Sequence, residues 1–146
     1  MELSDKGLTL IKDFESCRLT AYPDTNGVPT IGYGHTAGVK LGATCTQDQA
    51  DEWLREDAQS AINTVNRLVT VLLSQSEFDA LCSFVFNVGS GNFRGSTLLK
   101  LLNQGKYTEA AEQFKRWDKD NGKVVAGLLR RRLAEESEFK EDLVPK

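Results

Sequence analysis

A long helical pattern in the middle of the chain constrains the fold more than any other feature. Small and aliphatic residues recur there every three or four positions, which is the spacing of one face of an α-helix. These residues are Ala50, Leu54, Ala58, Ala61, Ile62, Val65, Leu68 and Val69. Thr46 and Gln49 have the spacing of a capping box, so the helix is predicted over 47–69. At about six turns, it is long enough to connect two lobes of a domain.

The residues before this helix are typical of a β-hairpin. Strand-like segments over 19–22 and 28–33 flank a cluster of turn-forming residues over 23–27. Glycines at positions 32, 34, 38 and 42 then interrupt regular structure until the long helix begins. The pattern therefore predicts a hairpin in a small lobe that precedes the long helix.

A first helix is predicted before the hairpin. Ser4 can cap it, and Leu8 and Ile11 share a face with Glu15 at spacings of three and four residues. This arrangement puts a carboxylate on an apolar stripe.

The chain after the long helix contains helical patterns. A second capping box, Ser74 with Glu77, begins an apolar helix that Gly89 can end. Shorter helices are predicted behind it, with a loop over 118–123 between the last two; they cover 97–103, 108–117 and 127–139.

Together these elements predict an α+β fold in one domain over 1–146. A small α+β lobe would cover about 13–58, and a larger helical lobe would combine about 1–12 with 70–146. The helix over 47–69 would connect the lobes. Such a plan leaves a cleft between lobes in which a ligand can bind.

Composition excludes several classes of function. Lysine and arginine number 18 against 21 acidic residues, and the net charge is −3, so nucleic acid is not an expected partner. No apolar run approaches the roughly 20 residues of a membrane span, and the first residues lack the pattern of a signal peptide. Cys17, Cys45 and Cys82 include no CxxC pair, which is typical of a reduced cytosolic protein.

Glu15 and Asp24 are candidates for acid–base chemistry on a glycosidic bond. That reaction commonly uses one protonated carboxylic acid and a second, ionised carboxylate. An apolar helix face disfavours the charged form of Glu15, whereas a polar turn keeps Asp24 ionised. Taken alone, however, a glutamate near a helix end is usually a surface residue and a turn aspartate an Asx-turn former. Thr30 is likewise typical of a strand, so residue types leave both interpretations open.

A longer motif decides between the structural and the catalytic interpretation of these residues. Glu15, Asp24 and Thr30 have the spacing Glu-x8-Asp-x5-Thr, and the segment over 19–35 resembles almost throughout the signature of the phage-type lysozymes, the endolysins of glycoside hydrolase family 24. Later segments over 79–89, 95–98 and 127–132 fit as well. The resemblance covers nearly the whole chain and implies a lysozyme-like fold.

The resemblance also implies an activity. The expected reaction is hydrolysis of the β-1,4 bond between N-acetylmuramic acid and N-acetylglucosamine in peptidoglycan, which lyses the host cell. It implies that Glu15 is the general acid and that Asp24 and Thr30 position and activate the attacking water, with inversion at the sugar carbon. No cofactor and no metal ion are expected.

Five residues outside the catalytic motif are also predicted to contribute. Asn87, Gly89 and Arg131 match family positions in the cleft wall and the larger lobe, and are candidate substrate-binding residues. Asp57 lies on the stripe of the long helix and needs a partner if it is buried. We predict a structural ion pair with His35, the single histidine, because the family has a histidine and an aspartate at matching positions.

The same resemblance predicts the biological setting. The partner is the glycan strand of peptidoglycan, and the enzyme is expected to be a monomer without direct membrane insertion. It would remain in the host cytoplasm until a holin perforates the membrane, and then act in the periplasm on the cell wall. Two alternatives are a lytic transglycosylase, which Asp24 and Thr30 disfavour, and a non-catalytic peptidoglycan-binding module, which the intact catalytic motif disfavours.

Overall fold

The computed structural model describes residues 1–120 and 122–142 of the chain. Residue 121 of the predicted loop and residues 143–146 of the predicted domain lie outside the described residues. The chain forms two compact units, one of Ile11–Ser60 and one that combines Met1–Leu10 with Ala61–Lys146. We call them the hairpin unit and the helical unit.

The first helix, α1, covers Asp5–Phe14. Its cap is as predicted, because the Ser4 hydroxyl oxygen accepts a hydrogen bond from the backbone N–H three residues later at 3.1 Å. Leu8 and Ile11 are buried, as the stripe predicts. Glu15 was expected on the same helix face but follows the last helical residue, since the backbone turns there toward the first strand. Its N–H still donates to the Ile11 carbonyl at 3.1 Å.

The predicted hairpin is confirmed in the hairpin unit. Strand β1 (Arg18–Pro23) pairs antiparallel with β2 (Pro29–Gly32), with an irregularity in β1 before Tyr22. Tyr22 lies opposite Thr30. Directly opposite residues of an antiparallel pair have their side chains on the same face, so these two side chains are neighbours. Gly27 has a φ of 79° in the connecting turn, a conformation that glycine adopts without strain.

The long helix, α2, covers Gln47–Leu68, within a residue of the prediction at its C-terminus. The Thr46 hydroxyl oxygen accepts a hydrogen bond from the Gln49 N–H at 3.1 Å and caps its start. The predicted apolar stripe is buried, most completely at Ala50, Leu54, Ala58 and Val65. The boundary between the two compact units falls within this helix.

The helical unit contains the larger core. Helix α3 (Gln75–Val88) begins at the predicted capping box and ends at Gly89, whose φ is 92°. The elements that follow are α4 (Ser90–Arg94), α5 (Thr97–Asn103), α6 (Tyr107–Glu112), a 3-10 helix (Phe114–Trp117), β3 (Lys119–Asp120), β4 (Lys123–Val124) and α7 (Ala126–Lys140). The core is built around five fully buried aromatic side chains: Phe78, Phe84, Phe93, Phe114 and Phe139.

Two expectations for this unit were wrong in detail. The single helix over 108–117 is instead α6 followed by the 3-10 helix, because tighter bonds such as Gln113 N–H to the Ala110 carbonyl replace the α-helical ones. This tighter turn accompanies the burial of Phe114 against Phe84, with ring centroids 5.3 Å apart. The predicted loop over 118–123 is largely replaced by β3 and β4, which pair antiparallel. Three of their four residues are polar, so these strands lack the alternation that identifies strands in a sequence.

The α+β class is confirmed. Among the described residues, none of the helices combines the length and the apolar composition that a membrane span requires.

Candidate active site

Asp24 follows β1 and is held by the turn that it begins. Its Oδ1 accepts hydrogen bonds from the N–H groups of Asn26 and Val28, both at 2.8 Å. Its own N–H donates to the Val28 carbonyl at 2.9 Å. This is an Asx-turn, and it engages a single carboxylate oxygen. Within the described residues no donor bonds to Oδ2, so this oxygen can accept a hydrogen bond from a water or a substrate.

Thr30 lies in β2 and is 4% exposed. Its hydroxyl donates a hydrogen bond to the Val28 carbonyl at 2.9 Å. A hydroxyl has one hydrogen, so Oγ1 is left with acceptor capacity only. A water beside Thr30 must therefore donate to it. Since the turn residue Val28 bonds to both Asp24 and Thr30, the same backbone segment fixes the two acceptor groups.

Glu15 lies against a glycine-containing loop that follows β2. At Gly34, whose φ is 83°, an added Cβ would lie 3.9 Å from Glu15 Oε2. Gly32, whose φ is 65°, has less space, because an added Cβ would lie 3.2 Å from the Cβ of Ala50 in α2. Gly32 thus lets the backbone approach α2 closely, whereas at Gly34 the positive φ rather than lack of space favours glycine. Sequence reasoning treated them as interruptions of regular structure and missed this role.

The end of this loop is anchored by His35. The backbone N–H and carbonyl groups of Ile31 and His35 bond reciprocally at 2.9 Å, which closes the loop. His35 Nδ1 lies 2.8 Å from Asp57 Oδ2, so the structure brings the predicted pair into contact. The buried imidazole also stacks on Trp53, with ring centroids 4.5 Å apart and planes 5° apart. Ala50, Trp53 and Asp57 therefore present one face of α2 to the loop.

A second set of contacts, which sequence reasoning missed, joins the same loop to the start of α2. Gln47 Nε2 donates to the Tyr33 hydroxyl at 3.1 Å and to Asp51 Oδ1 at 3.0 Å. Lys12 Nζ lies 3.1 Å from the same Asp51 oxygen and 5.7 Å from the centroid of the Tyr33 ring. The hydrogen bond from Gln47, with the Lys12 ammonium beside it, lowers the pKa of the Asp51 carboxyl. These residues lie far apart in sequence, so no local pattern indicates their association.

The three predicted substrate-binding residues lie in the helical unit. Asn87 is exposed near the C-terminal end of α3, and Gly89 directly follows that helix. Arg131 is 3% exposed in α7. Its Nη2 donates to the Ser83 carbonyl at 3.2 Å, one helical turn before Asn87. The three residues thus lie on or against the second half of α3.

Comparison with known proteins identifies the family. A family model described as phage lysozyme matches residues 12–135, which include the candidate carboxylates and the loop. The chain belongs to the phage lysozyme family. This confirms the resemblance seen in the sequence, the lysozyme-like α+β fold, and the enzyme class, a glycoside hydrolase lysozyme of the endolysin type.

Individual relatives agree with this assignment. The lysozyme is 46% identical to an endolysin of Acyrthosiphon pisum secondary endosymbiont phage 1, over 95% of this chain and 98% of the relative. It is 44% identical to an endolysin of Bacillus phage PZA, and spans about half of that relative, 55%. The solved structure of the muramidase domain of SpmX from Asticaccaulis excentricus is 42% identical, with a TM-score of 0.90 and 99% of each chain covered.

This phage lysozyme also contains a buried charged cluster in its helical unit. Glu135 and Arg132 are fully buried in α7, and Arg132 Nε lies 2.7 Å from Glu135 Oε1. Arg131 Nε and the Ser83 hydroxyl both donate to Glu135 Oε2, at 3.2 and 2.6 Å. Burial raises the pKa of Glu135, and the two guanidinium groups oppose that rise. Burial likewise lowers the pKa of Arg132. Sequence reasoning missed Glu135 and Ser83, although arginine and glutamate at a spacing of four residues are a weak signal.

The three cysteines form no disulfide. Cys17, Cys45 and Cys82 are free thiols, and burial raises the pKa of the Cys82 thiol far above its ordinary range. Within residues 1–120 and 122–142, no three histidine, cysteine or acidic side chains form a group that could hold a metal ion.

Proposed function

We propose that this endolysin is a muramidase that hydrolyses the β-1,4 bond between N-acetylmuramic acid and N-acetylglucosamine in peptidoglycan. Glu15 is the general acid, and Asp24 and Thr30 hold and activate the attacking water. The arrangement at the end of the hairpin carries this proposal, because it offers two acceptor groups on one backbone turn. The 42% identical relative that is named a muramidase domain supports the choice of bond.

The acceptor groups suit an attacking water. Thr30 Oγ1 has given its hydrogen to the Val28 carbonyl, so it takes one hydrogen from the water. Asp24 Oδ2 takes the other and serves as the general base. A water that donates both hydrogens has its lone pairs directed away from these two groups, which is the orientation that attack on the anomeric carbon requires.

The bonds and protons of the proposed reaction balance. Glu15 gives its proton to the leaving glycosidic oxygen as the bond from the anomeric carbon to that oxygen breaks. The water oxygen bonds to the same carbon from the opposite face, and its proton passes to Asp24, with inversion as the result. Exchange with solvent returns one proton to Glu15 and removes one from Asp24. No cofactor and no metal ion enter these steps.

Asn87, Gly89 and Arg131 bind the glycan strand in this proposal. Asn87 is exposed and can exchange hydrogen bonds with acetamido and hydroxyl groups. Gly89 has no side chain to obstruct a sugar. Arg131 is fixed by the Ser83 carbonyl and Glu135, so little conformational entropy is lost when it contacts a ligand. The pair of His35 and Asp57 is structural and holds the loop that lies against Glu15.

Product analysis tests the reaction. Purified Gram-negative peptidoglycan is digested with the parent enzyme and with Glu15→Gln, and the soluble products are identified by mass spectrometry. Reducing muropeptides from the parent and almost none from Glu15→Gln are expected. Glu52→Gln, an exposed glutamate in α2, is the matched control and should retain parent activity. Anhydro products would indicate the transglycosylase instead, and wall binding without products would indicate a non-catalytic module.

The cellular route is also part of the proposal. The enzyme, a monomer, accumulates in the host cytoplasm, and a holin releases it to the cell wall. Its endolysin relatives support a lytic role. Expression in a Gram-negative host, with and without a holin, tests the route: lysis with the holin and none without it is expected. Analytical ultracentrifugation measures the oligomeric state.

A further inference from the structure

Arg18 is an exposed cation that an aromatic ring holds in place. Its guanidinium carbon lies 4.5 Å from the centroid of the half-buried Tyr22 ring, four residues later in β1. A guanidinium held over an aromatic face is attracted by the π-electrons of the ring, so the N–H groups that point away from the ring stay available for hydrogen bonds. The stack therefore orders the cation without using up its donors.

Arg18 has no acidic partner in the described parts of the chain, 1–120 and 122–142. This distinguishes it from Arg131 and Arg132, which both contact Glu135. An ordered guanidinium with unused, in-plane donors is suited to bind a carboxylate through two parallel hydrogen bonds.

The location of this cation connects it with the proposed reaction. Tyr22 lies opposite Thr30, on the same face of the hairpin, and precedes Asp24 by two residues. Arg18 and Tyr22 therefore lie on β1, which is followed by Asp24 and pairs with the strand that contains Thr30. Because the guanidinium lies over the ring of Tyr22, the residue opposite Thr30, a group on a sugar near the proposed water is the ligand that this position suits.

We propose that Arg18, held by Tyr22, binds a carboxylate of the peptide stem that the N-acetylmuramic acid residue carries. The inference rests on the proposed function, because the stem is attached to that sugar. In a glycan strand with intact stems the sugars are neutral and the carboxylates are on the peptides, so an arginine here selects stem-bearing, unamidated wall. Charge-assisted bidentate bonds make this selection a matter of binding rather than of bond cleavage.

The test compares two soluble substrates: muropeptide oligomers with free stem carboxylates, and the same oligomers with those carboxylates converted to primary amides. For Arg18→Gln, KM for the free-carboxylate substrate should rise about tenfold, while kcat changes by less than about twofold. KM for the amidated substrate should stay at the parent value. Arg18→Lys keeps the charge but loses the planar guanidinium group. Its KM for the free-carboxylate substrate should lie between those of the parent and Arg18→Gln.

Two further variants sharpen the test. Tyr22→Leu removes the ring and should raise KM for the free-carboxylate substrate while leaving Arg18 in the chain. Arg55→Gln, an exposed arginine of α2, is the matched control for loss of one positive charge, and should leave both KM values unchanged. Thermal unfolding of each variant verifies that it folds.

The outcomes separate this inference from the proposed function. If the parent releases reducing muropeptides but Arg18→Gln raises KM equally for both substrates, or lowers kcat alone, the stem-carboxylate site is wrong and the muramidase proposal stands. If the parent releases no reducing muropeptides, the muramidase proposal fails. Calorimetric binding of both oligomers to Glu15→Gln, with and without Arg18→Gln, then still decides the inference: weaker binding of the free-carboxylate oligomer alone supports it, and equal binding overturns it.

Discussion

Asp24 and Glu135 are both carboxylates that accept several hydrogen bonds, yet their surroundings differ in kind. Asp24 is half-buried, and its partners are backbone N–H groups two and four residues away. Glu135 is fully buried, and its partners are two arginines of its own helix and Ser83 of another helix. One oxygen of Asp24 is left for a ligand, whereas Glu135 is enclosed by protein. The proposed reaction uses the carboxylate that keeps an oxygen available, whereas the enclosed carboxylate is expected to serve stability.

The largest expected effect lies at the enclosed carboxylate. Glu135→Gln removes the negative charge beside Arg131 and Arg132 and leaves the fully buried Arg132 guanidinium without that counter-charge. Breaking a buried ion pair in this way should lower the free energy of unfolding by about 3 kcal/mol. Urea unfolding measures it. Glu109→Gln, at an exposed site on α6, should change stability by less than about 0.5 kcal/mol. Equal stability of the two variants would contradict the structural role of Glu135.

Thr30→Val tests the other region of the comparison, the hairpin around Asp24. The substitution keeps the branched shape in β2 but removes the hydroxyl that is proposed to accept a hydrogen bond from the attacking water. One such bond is worth about 1.4 kcal/mol, so kcat should fall about tenfold while KM is unchanged. Stability should change by less than about 1 kcal/mol. Initial rates on soluble muropeptide oligomers measure the effect, and Thr30→Ser should recover most of the activity. A large loss of stability with normal kcat would make Thr30 a structural residue.

The pair of His35 and Asp57 combines features of both regions, since it supports the loop beside Glu15 but contacts no substrate in the proposed reaction. Asp57→Asn keeps a hydrogen-bonding group near His35 Nδ1 but removes the charge. The free energy of unfolding should fall by about 1 kcal/mol, with kcat less affected than in Thr30→Val. Urea unfolding and initial rates on the same protein preparation measure both. Full stability together with a tenfold loss in kcat would instead assign the pair to catalysis.

The comparison also explains how much the sequence could predict. Asp24, Thr30 and the hairpin around them depend on bonds within a few residues, and turn-forming residues between strand-like segments indicate them. The helix caps at Ser4 and Ser74 likewise depend on hydrogen bonds between residues three positions apart. Glu15 was predicted as a candidate catalytic residue, but its position beyond the end of α1 was not predicted. The spacing of apolar residues that indicates the helix continues to Glu15, although the helix itself ends at Phe14.

The features that were missed depend on contacts between distant segments. The cluster around Glu135 requires α3 to pack against α7, and the contacts of Tyr33 require Lys12 and Gln47 to meet beside it. The 3-10 helix before β3 accompanies the burial of Phe114 among aromatic side chains of other helices. Tertiary packing overrides local preference in each case, and the four-residue spacing of Arg131 and Glu135 is the one weak local signal among them.

The smallest expected effect concerns Asp51, which lies between the two extremes: it is paired with Lys12 and Gln47 but its side chain is 30% exposed. Its pKa is lowered by these contacts, so it contributes stability above its unfolded-state pKa and loses it as the pH falls through the lowered value. Asp51→Asn should therefore cost less than about 0.5 kcal/mol at pH 7, because solvent screens the pair. The difference should shrink as the pH falls below the ordinary aspartate pKa of about 4 and through the lowered value, and also in high salt. Urea unfolding of both proteins across this pH range measures it. A stability difference that persists in acid would mean that Asp51 acts through packing rather than through its charge. The same test applies to Glu135, where a loss of stability that did not depend on pH would also indicate packing.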